Sequence, residues 1–100
     1  MIVRIVRMQF KPEAVQEFLD LFEERKKLIR ASAGCQHLEL WQDAHDSSIF
    51  YTYSLWDTED SLNHYRFSEL FKDTWSKTKP HFAVKAQAWS ALPFTTANPY

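Results

Sequence analysis

Hydrophobic positions follow two periods along the chain, and the switches between them mark out its elements. Residues 2–10, IVRIVRMQF, are rich in β-branched side chains and read as a first strand. Lys11-Pro12 ends it, and Pro12 suits the first turn of a helix, where its missing N–H costs nothing. Val15, Phe18, Leu19, Phe22 and Ile29 then fall on one face at helical spacing, which predicts a helix to about Arg30. The segment ASAG stops it, with Gly34, the only glycine, where a left-handed C-cap would sit. Residues 36–42, QHLELWQ, alternate as a second strand, and DAHDSS is a loop of turn formers. Residues 49–56, IFYTYSLW, are the third strand. Asp57 is placed to cap the next helix, and Glu59 and Asp60 favour its positive N-terminal end. Ser68 is placed to restart that helix as a second segment to about Thr78, before Lys79-Pro80 breaks it. Residues 81–90, HFAVKAQAWS, alternate as a fourth strand. The last stretch, ALPFTTANPY, has two prolines and no period.

The order is β-α-β-β-α-β, which predicts a ferredoxin-like α+β domain over residues 1–90, with a tail at 91–100. Its four-stranded antiparallel sheet carries the helices on one face. The other face should be polar if it meets water. It is not. One side of the third strand carries Ile49, Tyr51, Tyr53 and Leu55; the other carries Phe50, Thr52, Ser54 and Trp56. Trp41 opposes Leu38 and Leu40 in the second strand, and Trp89 opposes Val84, Ala86 and Ala88 in the fourth. Apolar surface on both faces calls for a second cover. The simplest is an identical chain packed sheet to sheet about a two-fold axis, burying roughly 800 Å² per chain.

Composition narrows the picture further. Aromatic residues make up 16% of the 100 positions, an investment suited to an interface or a pocket. The net charge of −1, with Lys and Arg scattered among Glu and Asp, argues against a nucleic-acid partner. The single Cys35 excludes an intrachain disulfide and a cysteine-based metal cluster, and fits a cytoplasmic setting. No apolar run approaches the roughly 20 residues of a membrane span, so no membrane association is expected. No two histidines stand at a metal-binding spacing, and one glycine builds neither a dinucleotide fingerprint nor a P-loop.

The segments FKPEAVQEFLDLFEE, ASAGCQHLELWQD and FYTYSLWDTEDSLNHYRFSELF, taken in order, resemble the antibiotic biosynthesis monooxygenase family. Gly34, Trp56, Asp57, His64, Ser68 and Phe71 stand in register, and the resemblance runs over about residues 2–90. It implies a dimeric α+β barrel. It also implies one of several activities: oxygenation of quinol-like or polyketide aromatics without metal or flavin, haem degradation, or action on small signalling molecules. For haem degradation, the position of the axial histidine is held by Trp75, which does not ligate iron. A non-catalytic small-molecule-binding or stress-related homodimer, and an isomerase-like metabolite enzyme, remain alternatives.

The candidate chemistry gathers around His64. His64, Phe67, Phe71 and Trp75 are spaced three, four and four apart and would form one stripe on a continuous helix. The same stripe would serve equally as core packing. Histidine suits proton transfer near neutral pH. The functional expectation is that His64 takes a proton from a bound quinol, whose anion reduces O₂ with no cofactor. Tyr51, Phe67, Phe71 and Trp75 would hold the flat ring, and Tyr65 or Arg7 would bind its oxygens.

Overall fold

Two eight-residue strands at the centre of one sheet organise the molecule. In the computed structural model, which describes residues 1–100, β1 (Ile2–Gln9) pairs antiparallel with β3 (Ile49–Trp56), Ile2 opposite Trp56 and Gln9 opposite Ile49. The free edge of β3 takes β2 (Cys35–Gln42), and that of β1 takes β4 (Gln87–Ala91). The order is β2-β3-β1-β4 with every neighbour antiparallel. Helices α1 (Val15–Arg30), α2 (Glu59–Arg66) and α3 (Glu69–Thr78) form the second layer. This is the expected ferredoxin-like α+β arrangement.

Register decides which face each side chain takes. Residues directly opposite one another in a ladder point the same way, and successive residues alternate. Arg4 lies opposite Ser54 and Ser90, and Val6 lies opposite Thr52 and Ala88. That parity puts Ile2, Arg4, Val6 and Met8 of β1 under the helices, with Thr52, Ser54 and Trp56 of β3. Ile5, opposite Tyr53 and Trp89, belongs to the helix-free face, as do Glu39 and Trp41 of β2.

Under the helices, Met8, Phe10, Phe18 and Phe50 form one buried cluster, with Phe10 and Phe18 stacked at 4.2 Å between ring centroids. Cys35, Trp56 and Leu62 form a second at the other end of the sheet. Full burial of side chains of this size contributes about 1.5–3 kcal/mol each. Arg25 ties α1 to α3 through Asp73 at 2.7 Å and Thr74 at 3.0 Å.

Three local expectations shift. First, α1 ends in an ordinary right-handed cap at Ala31, so Gly34 is not its C-cap. Gly34 adopts φ +83° in the turn into β2, and a Cβ there would collide with the Asp57 carboxylate and Ser61. Its carbonyl accepts from the Asp57 backbone N–H at 2.8 Å, which pins β2 to the exit of β3. Second, the cap of α2 is Thr58 rather than Asp57: the Thr58 hydroxyl accepts from the Ser61 backbone N–H at 3.1 Å. Third, β4 begins at Gln87, six residues later than the alternation predicts. Pro80 turns the chain, and Phe82 is bound to the end of β1 by a single bridge to Phe10. Val84 and Ala86 consequently lie outside the ladder. Residues 92–100 follow β4 without regular structure, and Phe94 is 99% exposed.

Candidate functional site

Between the helices and the sheet lies a cavity of about 360 Å³, near the lower end of the range for small-molecule sites, roughly 300–1,000 Å³. Its floor is the helix-facing row of β1 and β3: Arg4, Val6 and Met8 beside Thr52, Ser54 and Trp56. Its roof comes from Leu62, Tyr65 and Arg66 of α2 and Phe71, Thr74 and Trp75 of α3. Arg66 and Ala88 are the lining residues exposed to solvent, so they mark its open side.

The wall is a run of rings. Trp56 stacks on Tyr65 at 5.0 Å, Tyr65 meets Phe71 edge-on at 5.3 Å, and Phe71 stacks on Trp75 at 5.7 Å. Such ring contacts add to simple burial and hold planar surfaces at fixed tilts. Trp56 is further fixed by donating its indole N–H to the Ser54 hydroxyl at 3.0 Å. Burial pushes the Tyr65 phenol well above its ordinary pKa, with a smaller contribution from Cys35, so Tyr65 stays protonated near neutral pH.

Local sequence explains how α2 and α3 build this roof. Ser68 ends one helix and starts the next: its hydroxyl accepts from the Phe71 backbone N–H at 3.2 Å and donates to the Tyr65 carbonyl. The break lets α3 turn Phe71 and Trp75, one helical turn apart, onto the cavity.

Of the residues expected to act, Tyr65, Phe71 and Trp75 line the cavity. The other four lie elsewhere. His64 is exposed on α2. It stands two residues from buried Leu62, which places it on the opposite side of the helix. Phe67 is the C-cap of α2 and 75% exposed, because the break at Ser68 interrupts the stripe that joined it to Phe71. Tyr51 and Arg7 are partners across the β1–β3 ladder and occupy the helix-free face by strand parity. The Tyr51 hydroxyl donates to Asp43 at 3.0 Å.

The sequence reading passed over Arg4, Arg66, Thr52 and Trp56 as lining residues. For Arg4 the signal was present: it shares parity with Val6 and Met8 in the first strand. No histidine, cysteine or carboxylate belongs to the lining, and no three such side chains converge elsewhere in a metal-holding group. What the cavity offers chemically is an apolar space walled by aromatic rings, a few hydroxyls and two guanidinium groups.

The sequence model of a family described as antibiotic biosynthesis monooxygenase matches residues 1–77. No curated protein matches the sequence. Among solved structures, an antibiotic biosynthesis monooxygenase superposes with a TM-score of 0.89 at 21% identity, covering 95% of this chain and 100% of that one. A conserved protein from Methanosarcina mazei Go1 gives 0.85 at 24% identity, covering 91% of both chains. Rv0793 from Mycobacterium tuberculosis gives 0.87 at 18% identity, covering 97% and 98%. At these identities the likeness establishes the fold. No helix is long and apolar enough to cross a membrane.

Proposed function

The chain belongs to the antibiotic biosynthesis monooxygenase family, and from that membership we propose that it oxygenates a small aromatic molecule, quinol-like or polyketide-like, in the cavity under its helices. The observation that carries this reading is the wall of Trp56, Tyr65, Phe71 and Trp75, whose tilted rings suit a flat, electron-rich substrate. Tyr65, Phe71 and Trp75 hold the substrate, and the apolar surroundings keep water from the reacting carbon. In the reaction a ring CH₂ of a polyketide-like substrate becomes C=O, or a ring C–H of a quinol becomes C–OH while the quinol is oxidised to the quinone. One atom of O₂ enters the substrate, the other leaves as water with two hydrogens, and the substrate supplies all the electrons. No bound cofactor is required by that balance.

The position of His64 gives a role as base no support, and the lining holds no histidine or carboxylate to take a proton in its place. The proton therefore leaves to solvent through the side marked by Arg66. The missing base also favours a second reading, in which the same cavity only binds its ligand.

The catalytic unit in this proposal is residues 1–90, with 91–100 as a tail, and it works in the cytoplasm as a homodimer. Support for the dimer comes from the helix-free face, where Trp41 and Trp89 stay 41% and 48% exposed and Trp41 stacks on Tyr53 at 4.8 Å.

Oxygen uptake with a panel of quinols, run with and without chelator, tests the reading. Uptake that survives the chelator and falls at least tenfold in Trp75→Ala supports the oxygenase. Saturable binding with no oxygen consumed supports the binding module instead.

A further inference from the structure

Two positive charges face this apolar cavity with no negative partner. Arg4 enters from β1 and Arg66 from α2, and both belong to the lining. The ion pairs of the chain are made by Arg25, Lys26, His37, Lys72, Lys77 and His81. Arg4 and Arg66 take part in none. The contrast with Arg25 is instructive, because that buried guanidinium is paired with Asp73 and Glu24 and donates to Thr74. Arg4 is half-buried, and its one hydrogen bond goes to the neutral Ser90 hydroxyl at 3.0 Å.

A half-buried cation without a counter-ion is costly to hold, and a second cation beside it raises the cost. Both effects act on Arg4, whose pKa is lowered first by burial and then by the charge of Arg66. An anion between the two guanidiniums would relieve both. Guanidinium presents a planar fork of donors that matches the two oxygens of a carboxylate, better than it matches a single phenolate oxygen. The rings of Trp56, Tyr65, Phe71 and Trp75 meanwhile call for a planar apolar body.

We propose that the cavity takes its aromatic ligand as a carboxylate, with the ring against the aromatic wall and the carboxylate oxygens held by Arg4 and Arg66. The proposal rests on the reading of the cavity as an aromatic-ligand site and names the polar group that site selects. It also makes Arg4 and Arg66 specificity-determining residues: they choose among flat molecules by charge, which the rings cannot do.

Calorimetric titration with 2-naphthoate and 2-naphthamide tests it, since the two share ring and shape and differ in charge. The acid should bind at least tenfold more tightly. That ratio should fall at least threefold in Arg66→Gln, a change at an exposed position, and approach one in the Arg4→Gln/Arg66→Gln double variant. If the double variant fails to fold, Arg66→Gln alone decides the matter. Amide binding as tight as the acid overturns this inference and leaves the aromatic reading standing. A preference for the acid that survives the substitutions overturns the assignment to these arginines. Binding of neither probe removes the aromatic reading, and this inference with it.

Discussion

The two faces of the sheet are both apolar, yet they are treated differently. Under the helices, Trp56 and Phe10 are each 1% exposed, and their neighbours close around them. On the opposite face Trp41, Tyr53 and Trp89 have no layer above them, and two of the three are exposed. The difference is one of cover rather than composition. A chain of this length has helices enough for one side only, so the second side depends on something outside the chain. The covered side is also the one that keeps a void, between Arg4 and Ser54 of the sheet and Tyr65 and Phe71 of the helices.

The largest effect should come from the covered face. Trp56→Ala removes a buried ring and the indole N–H held by Ser54, and should cost about 3–5 kcal/mol. Urea denaturation should show this loss at every protein concentration, because the contacts lie within one chain. A loss that shrank as concentration rose would place Trp56 in an interface and undo the contrast between the faces.

Next in size is a change on the open face. Tyr53 sits at its centre, opposite Ile5 and Glu39, with Trp41 stacked on it. Placing a charge there by Tyr53→Arg should cost about 2 kcal/mol of association, about a 30-fold rise in the dimer dissociation constant. Sedimentation equilibrium at micromolar concentration should then find the 11.9 kDa chain alone, with its circular dichroism unchanged. If the unmodified protein already sediments as a single chain, the open face needs some other cover and the dimer proposal fails.

The same two faces explain what could be read from the sequence. β3 matches its expected span because IFYTYSLW alternates large apolar side chains between turn signals. α1 likewise follows from one clean apolar stripe. β4 was misplaced because HFAVKAQAWS alternates throughout, and only its partner strand decides where pairing starts. Site residues divided along similar lines. Phe71 and Trp75 lie one turn apart within a single helix, so their spacing carries to three dimensions. His64 and Phe67 lie before the Ser68 break, where the spacing no longer applies. Tyr51 and Arg7 required knowing which strand face the helices cover, and both faces offer apolar candidates, so periodicity alone could not choose. The pairing of Arg4 with Arg66 joins residues on separate elements, which no local pattern records.

The smallest effect is electrostatic, and it separates the two sides by pH. Asp73 lies in the helical layer, where its hydrogen bond to Arg25, followed by that to Lys77, holds its carboxyl below the usual range. Glu39 lies on the open face and is held low by the Trp41 indole N–H at 2.8 Å and then by His37. Each folded-state pKa is depressed below its unfolded value, about 3.9 for aspartate and about 4.3 for glutamate. Each group therefore contributes its stability in full above those values and loses it as pH falls through the folded-state value. Solvent screening keeps both contributions small. Asp73→Asn should flatten the decline of the thermal midpoint between about pH 5 and about pH 3, because it removes a carboxylate whose protonation drives that decline. Glu39→Gln should flatten the same decline by less, because Glu39 is held low by an exposed indole N–H and by His37 rather than by the buried Arg25. Equal effects of both substitutions would mean that the open face holds Glu39 as firmly as the helical layer holds Asp73, leaving that face less dependent on a partner than its exposed rings imply.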